Sequence, residues 1–140
     1  MNGAKAFGVN WFNVGYFYKH GSPRNSFQLI FVDRRDIRVG DFDIIFSYQR
    51  IKWETGDASG GTGGFGGHSA RVGFSNGTGQ PGTFYEMQGS AINGSFIDGG
   101  PHALTSGKYN SNQLGHYVFK VRKGRVGKPT SLPWLLLLSN

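Results

Sequence analysis

The segment FDIIFSYQRIKWET, Phe42 to Thr55, constrains the fold more than any other stretch of the chain. Its side chains alternate with the period of two that sends neighbours to opposite faces of a strand. Phe42, Ile44, Phe46 and Tyr48 share one parity, and the apolar set then moves to the other at Ile51 and Trp53. A slip of one residue turns every side chain over, so the switch near Gln49 to Ile51 predicts a β-bulge or a strand break. Upstream, SFQLIFVDR (Ser26 to Arg34) is apolar at both parities in its middle, as in a central strand covered on both faces. The charged connection RDIRVGD (Arg35 to Asp41) between the two segments predicts a hairpin.

Shorter strands are expected at FNVGYFYKH (Phe12 to His20), SARVGF (Ser69 to Phe74), TFYEMQGS (Thr83 to Ser90) and GHYVFKVRKG (Gly115 to Gly124). Turn clusters, GSPRN and SNGTGQPG, punctuate them, and residues 91–114 read mostly as loop. Outside the last ten residues no window sustains the i, i+3, i+4 apolar spacing of a helix. The expected class is therefore all-β, an antiparallel β-sandwich or two packed sheets with little helix. With 140 residues, 12 Phe, 6 Tyr, 3 Trp and no Cys, the chain has enough apolar mass for one core that must hold without disulfides. The expected division is a β domain over residues 1–124 and a basic and apolar C-terminal tail or linker over 125–140.

The stretch WETGDASGGTGGFGGHSARVGF (Trp53 to Phe74) holds eight glycines among 22 residues. It contains a G-x-G-x-x-G match at Gly61, Gly63 and Gly66, and a second match falls at Gly77, Gly79 and Gly82. A dinucleotide grip needs a helix opening from the last glycine, and a P-loop needs a following Lys. Here HSARVGF reads as a strand and no Lys follows, so the glycines are read as a wide β-connection and no cofactor is expected. Asp41 and Asp43 share a strand face, and with Glu54 and Asp57 they could offer oxygen ligands to Ca²⁺. The blander reading pairs Asp41 and Asp43 with Arg34, Arg35 or Arg38 at the surface and uses Asp57 in a turn. His20, His68, His102 and His116 have no zinc spacing, and no G-x-S-x-G elbow is present. No enzyme is expected.

Lys120, Arg122, Lys123, Arg125 and Lys128 place five positive charges in nine residues. Residues 1–119 hold ten Lys and Arg against eight Asp and Glu, a body of only +2. The cluster fits either a contact for acidic partners or a solvated strand end. No nucleic-acid-binding signature accompanies it, and no nucleic acid is expected. No signal-peptide core is visible, and LPWLLLL (Leu132–Leu138) is far below the roughly 20 residues of a membrane span. That run is expected to pack on its own domain or to support self-association. Asn76-Gly77-Thr78 and Asn93-Gly94-Ser95 are glycosylation triplets in expected turns. Trp11, Trp53 and Tyr85 are the candidate stacking platform if the chain is a carbohydrate-binding β-sandwich.

Five segments in order, NSFQLIFVDR, GDFDIIFSYQRIKWETGDASGGTGGFGG, ARVGFSNG, FYEMQGS and GHYVFKVRKG, resemble the NIDO domain of nidogens, alpha-tectorin, certain mucins and many bacterial secreted proteins. The likeness runs from Val9 to Gly124, and W-x-T-G-x-A-S-G-G from Trp53 to Gly61 is its most specific piece. The resemblance implies a non-catalytic, secreted module for cell–matrix adhesion or extracellular assembly, with extracellular or matrix proteins as partners. It carries over no ligand-binding residues.

Overall fold

The computed structural model describes residues 3–127. Seven strands form two antiparallel sheets, and the fold is all-β as expected. The larger sheet has the order β1-β2-β3-β6-β7, from β1 (Ala6–Val14), β2 (Asn25–Asp33), β3 (Phe42–Arg50), β6 (His116–Arg122) and β7 (Arg125–Val126). The smaller pairs β4 (Gly73–Ser75) with β5 (Phe84–Glu86). Between Arg50 and Gly73 the regular helical structure is one 3-10 turn, Asp57–Ser59. Arg125 and Val126, the first residues of the expected tail, add β7 to β6. Leu132–Leu138 lies outside the described residues.

Period-two alternation turns into a packed core on one face of the larger sheet. The register sets Phe27 opposite Tyr48, Leu29 opposite Phe46 and Phe31 opposite Ile44, and β6 continues these rows with Tyr117 and Phe119. Phe119 is fully buried. Its ring meets Phe46 and Phe74 edge-on at 5.9 and 5.1 Å and stacks on Tyr109 at 4.9 Å, arrangements that suit the aromatic quadrupole. Residues from the second layer, Met87, Phe96 and Leu104, close the core from above. Ile51 joins them because β3 ends at Arg50, where the apolar parity switches. The sequence also suggested cover on both faces of β2; the main cluster takes Phe27 and Leu29 from one face, and on the other Val32 is buried. Ile30 and Ile45, on the other face, are half-buried neighbours across the ladder.

That second face ends in charge. Arg34 donates to Asp43 at 2.9 Å, and Arg122 Nη2 lies 2.7 Å from the other Asp43 oxygen as an ion pair without a directed hydrogen bond. Asp41, 4.0 Å from Arg122 Nε, accepts the Lys123 N–H at 2.9 Å. Both aspartates are buried, so the surface pairing read from the sequence is corrected on two counts. Arg34 is one partner as anticipated, but the other is Arg122, brought in by β6 from far along the chain. Arg35 pairs with Asp33 instead. Hydrogen bonds to Asp36 and then Asp43 hold the Arg34 guanidinium charged, and Arg34 in turn keeps Asp36 below the usual carboxylate range.

Removing a cation from buried carboxylates leaves charge uncompensated, whereas an exposed pair contributes little. Arg122 is about one quarter exposed. We expect Arg122→Met to lower the unfolding free energy by about 2–3 kcal/mol in urea titrations. Arg35→Met, at an exposed pair, should cost less than about 1 kcal/mol. Equal losses would show that burial of Asp43 does not matter.

Candidate functional site

An open cavity of about 270 Å³ lies between the β1–β2–β3 face and the loop layer. Trp11, Phe27, Leu29 and Tyr48 form its floor, and Trp53 and Phe96 belong to its walls. The aromatic floor follows from strand parity; the walls are loops and need anchors of another kind.

Three side chains supply them. Asn25, buried at the start of β2, donates to Trp53 O at 2.9 Å and accepts from Lys52 N at 2.7 Å and Trp53 N at 3.2 Å. One amide thereby holds a strand-like segment that has no strand partner. Trp53 Nε1 donates to Val14 O at 3.0 Å, tying the same segment to β1. Glu54, also buried, accepts the N–H of Gly94 at 2.6 Å and of Phe96, fastening the loop that carries Phe96 into the core. Asp98 extends the pattern, accepting from Ile51 N at 3.1 Å and Thr105 Oγ1 at 2.8 Å. The buried polar groups beside the cavity, Asn25 and Glu54, are therefore committed to main chain, Arg71 at its rim pairs with Glu86, and the open surface is mostly apolar.

The Gly-rich connection frames one side. Glu54 and Thr55 both donate their N–H to Gly64 O, at 2.9 and 3.0 Å. Gly64 has φ +95°, and a Cβ there would stand 2.7 Å from Trp53 Cβ, so both backbone shape and close approach require glycine. Residues after Gly66 run toward β4 with no helix. The connection thus serves packing, as its sequence context implied.

Trp11 and Trp53 line the same cavity, while Tyr85 does not. Trp11 stacks on Phe27 at 4.9 Å, and Tyr85 packs at 4.7 Å on Phe119. Asn76 sits in an exposed turn, its Oδ1 accepting from Thr78 N at 3.0 Å and Thr78 Oγ1 at 2.7 Å. Asn93 is exposed and accepts from Gly66 N at 2.7 Å, but Ser95 of the same triplet is fully buried. Ser47 and His116 face each other across β3 and β6 at 3.2 Å; among the described residues no carboxylate bonds that ring. His20 and Asp57 pair at 2.7 Å beside the 3-10 turn. Among the described residues no cluster of His, Cys, Asp and Glu is placed to hold a metal, and no helix is long and apolar enough to cross a membrane.

Sequence reasoning missed Asn25 and took Glu54 only as a possible Ca²⁺ ligand, because their roles depend on partners 28 and 40 residues away. Aromatics in and before the strand expected at Phe12 to His20 lie outside the core: Phe7, Phe12, Phe17 and Tyr18 are all more than 60 % exposed. Alternation of Phe7, Val9 and Trp11 was the available signal for where β1 begins.

Burial, with Tyr117 nearby, pushes the Tyr48 hydroxyl well above its ordinary value. The folded chain thus keeps this proton where the unfolded chain loses it. Stability from this group is intact below about pH 10 and falls as the pH rises beyond it. Melting curves taken across that range should show a declining midpoint, with a shallower decline for Tyr48→Phe. Parallel declines would assign the effect to other groups.

No curated protein and no solved structure matches the chain. Residues 1–123 match the nidogen-like domain family, NIDO, a family of extracellular, non-enzymatic modules. The match spans both sheets up to the β6 end, the Gly-rich connection and the cavity, and the chain belongs to the nidogen-like domain family.

Proposed function

We propose that this module is secreted and acts without catalysis, in cell–matrix adhesion or extracellular assembly, by binding another protein. The observation that carries the reading is the mostly apolar cavity whose buried polar neighbours, Asn25 and Glu54, are already bonded internally. Such a recess suits an apolar side chain presented by a protein partner, since an anchor residue in a pocket is how protein interfaces concentrate their affinity. A sugar needs free hydrogen-bonding groups beside its stacking surface, and Asn25 and Glu54 are not free.

A second reading rests on Trp11 and Trp53 sharing the cavity, which is where two stacking rings would be wanted by a carbohydrate. Tyr85 would have no part in that site. Glycans on Asn76 or Asn93 would fit a secreted chain under either reading.

Ala70 is exposed and lies at the cavity, so Ala70→Trp closes the opening from outside with little change to the core. Capture of a partner from extracellular material, read by mass spectrometry, should fall at least about tenfold in this variant. A glycan-array signal that disappears with the same substitution would favour the carbohydrate reading. Capture unaffected by Ala70→Trp would remove the cavity from the function.

A further inference from the structure

The two margins of the larger sheet differ. At one, β7 has two residues, and the neighbouring length of β6 is covered by Tyr109, which receives Val118 N–H at 2.9 Å. At the other, β1 runs for nine residues, AFGVNWFNV, without a charge or a proline, and its ladder to β2 is regular from Ala6 to Trp11. Edge strands are ordinarily blunted by charge, proline, bulges or brevity. The register of β1 shifts only beyond Trp11.

The direction of its main-chain groups can be worked out. Asp33 donates to Lys5 O at 2.8 Å, so Lys5 and Asp33 form a hydrogen-bonded pair. Such pairs alternate along an antiparallel ladder. Phe7, Val9 and Trp11 therefore bond to β2, while Ala6, Gly8 and Asn10 direct N–H and C=O out of the sheet. Among the described residues no other strand lies beyond β1.

We propose that β1 pairs with β1 of a second copy, antiparallel, about a two-fold axis through Val9. An axis normal to the sheet preserves its faces, so paired residues must share parity. Centring on Val9 sets it against Val9 of the second copy and Phe7 against Trp11 of the second copy. Gly8 and Asn10 of the second copy then exchange their outward N–H and C=O groups. Phe7, 66 % exposed in the single chain, gains an aromatic cross-strand neighbour. Centring on Gly8 would instead place Lys5 against Trp11 and leave the aromatic pair unmade. In the Val9 register no two charges face one another, and the same surface serves both copies. This pairing uses the main-chain groups of the sheet margin; it shares only Trp11 with the cavity and rests on the edge, not on what fills the recess.

The cysteine-free chain gives a clean test. Val9 would be a non-hydrogen-bonded pair with its counterpart, about 4.5 Å apart at Cα, within disulfide reach. Full-length Val9→Cys should form a disulfide-linked dimer under mild oxidation. Phe7→Cys should not, because two Phe7 positions would lie about 13 Å apart along the strands. Gly8→Pro removes an outward donor and leaves the bonds to β2, so it should weaken the dimer at least about tenfold in sedimentation equilibrium. No cross-link at Val9, or equal cross-linking at Phe7, overturns the pairing. So does a dimer that Gly8→Pro leaves intact, or one dissolved by deleting Leu132–Leu138 while Val9→Cys stays unlinked. Should Gly8→Pro fail to fold, the two cysteine variants decide alone.

Discussion

A layer made of loops can cover an aromatic sheet only if its main-chain N–H and C=O groups find partners without a strand beside them. This constraint shapes the molecule. Between Arg50 and His116 only six residues, in β4 and β5, lie in strands. The rest of the layer is held by loop-to-loop main-chain bonds, such as those of Glu54 and Thr55 to Gly64, together with side chains that act in place of strands. Asn25 pairs with residues 52 and 53 as a neighbouring strand would, Glu54 collects two N–H groups from the loop at 94–96, and Asp98 returns the favour to Ile51. Each anchor is itself joined to the next by covalent chain or by a bond across the core. Phe96 and Leu104 reach Phe119 on top of this scaffold.

Buried carboxylates thus serve two different purposes here. Glu54 is neutralised mainly by main-chain dipoles and fixes loop geometry. Asp43 is neutralised by two arginines from opposite ends of the sequence and fixes the end of the sheet. The first arrangement builds the walls of the cavity, and the second joins the β2–β3 turn to β6. Neither site has oxygen ligands gathered as a cation would need, because every carboxylate faces a donor.

What the sequence revealed follows the range of the forces involved. The β2–β3 hairpin and the end of β3 at Arg50 were legible because period-two patterning and its interruption are local. The Gly-rich connection was also legible, since context around Gly61, Gly63 and Gly66 lacked both helix and Lys. The first strand was displaced: it runs Ala6–Val14, where Phe12 to His20 had been expected. Asn13, Tyr18 and Lys19 all have positive φ, so the chain leaves the extended region just where the aromatics are densest. The expected strands near Ser69 and Thr83 shrink to three residues each, bounded by turn bonds such as Thr83 N–H to Gln80 O and Ser90 N–H to Met87 O. Trp11 and Trp53 could be picked out as exceptional rings, but their meeting in one recess depends on the Trp53–Val14 bond between residues 39 apart. Pairing of Arg122 with Asp43 was hidden for the same reason.

The unequal lengths of β1 and β7 set a limit on growth. A sheet that is long at one margin and nearly closed at the other can be extended once, after which both outer borders are short and capped. Head-to-tail filaments need two complementary open borders, and among the described residues the larger sheet has one long open border, at β1. Pairing through β1, as proposed, would therefore close on itself at two copies, and a larger network would draw on other surfaces, the recess on the sheet face among them.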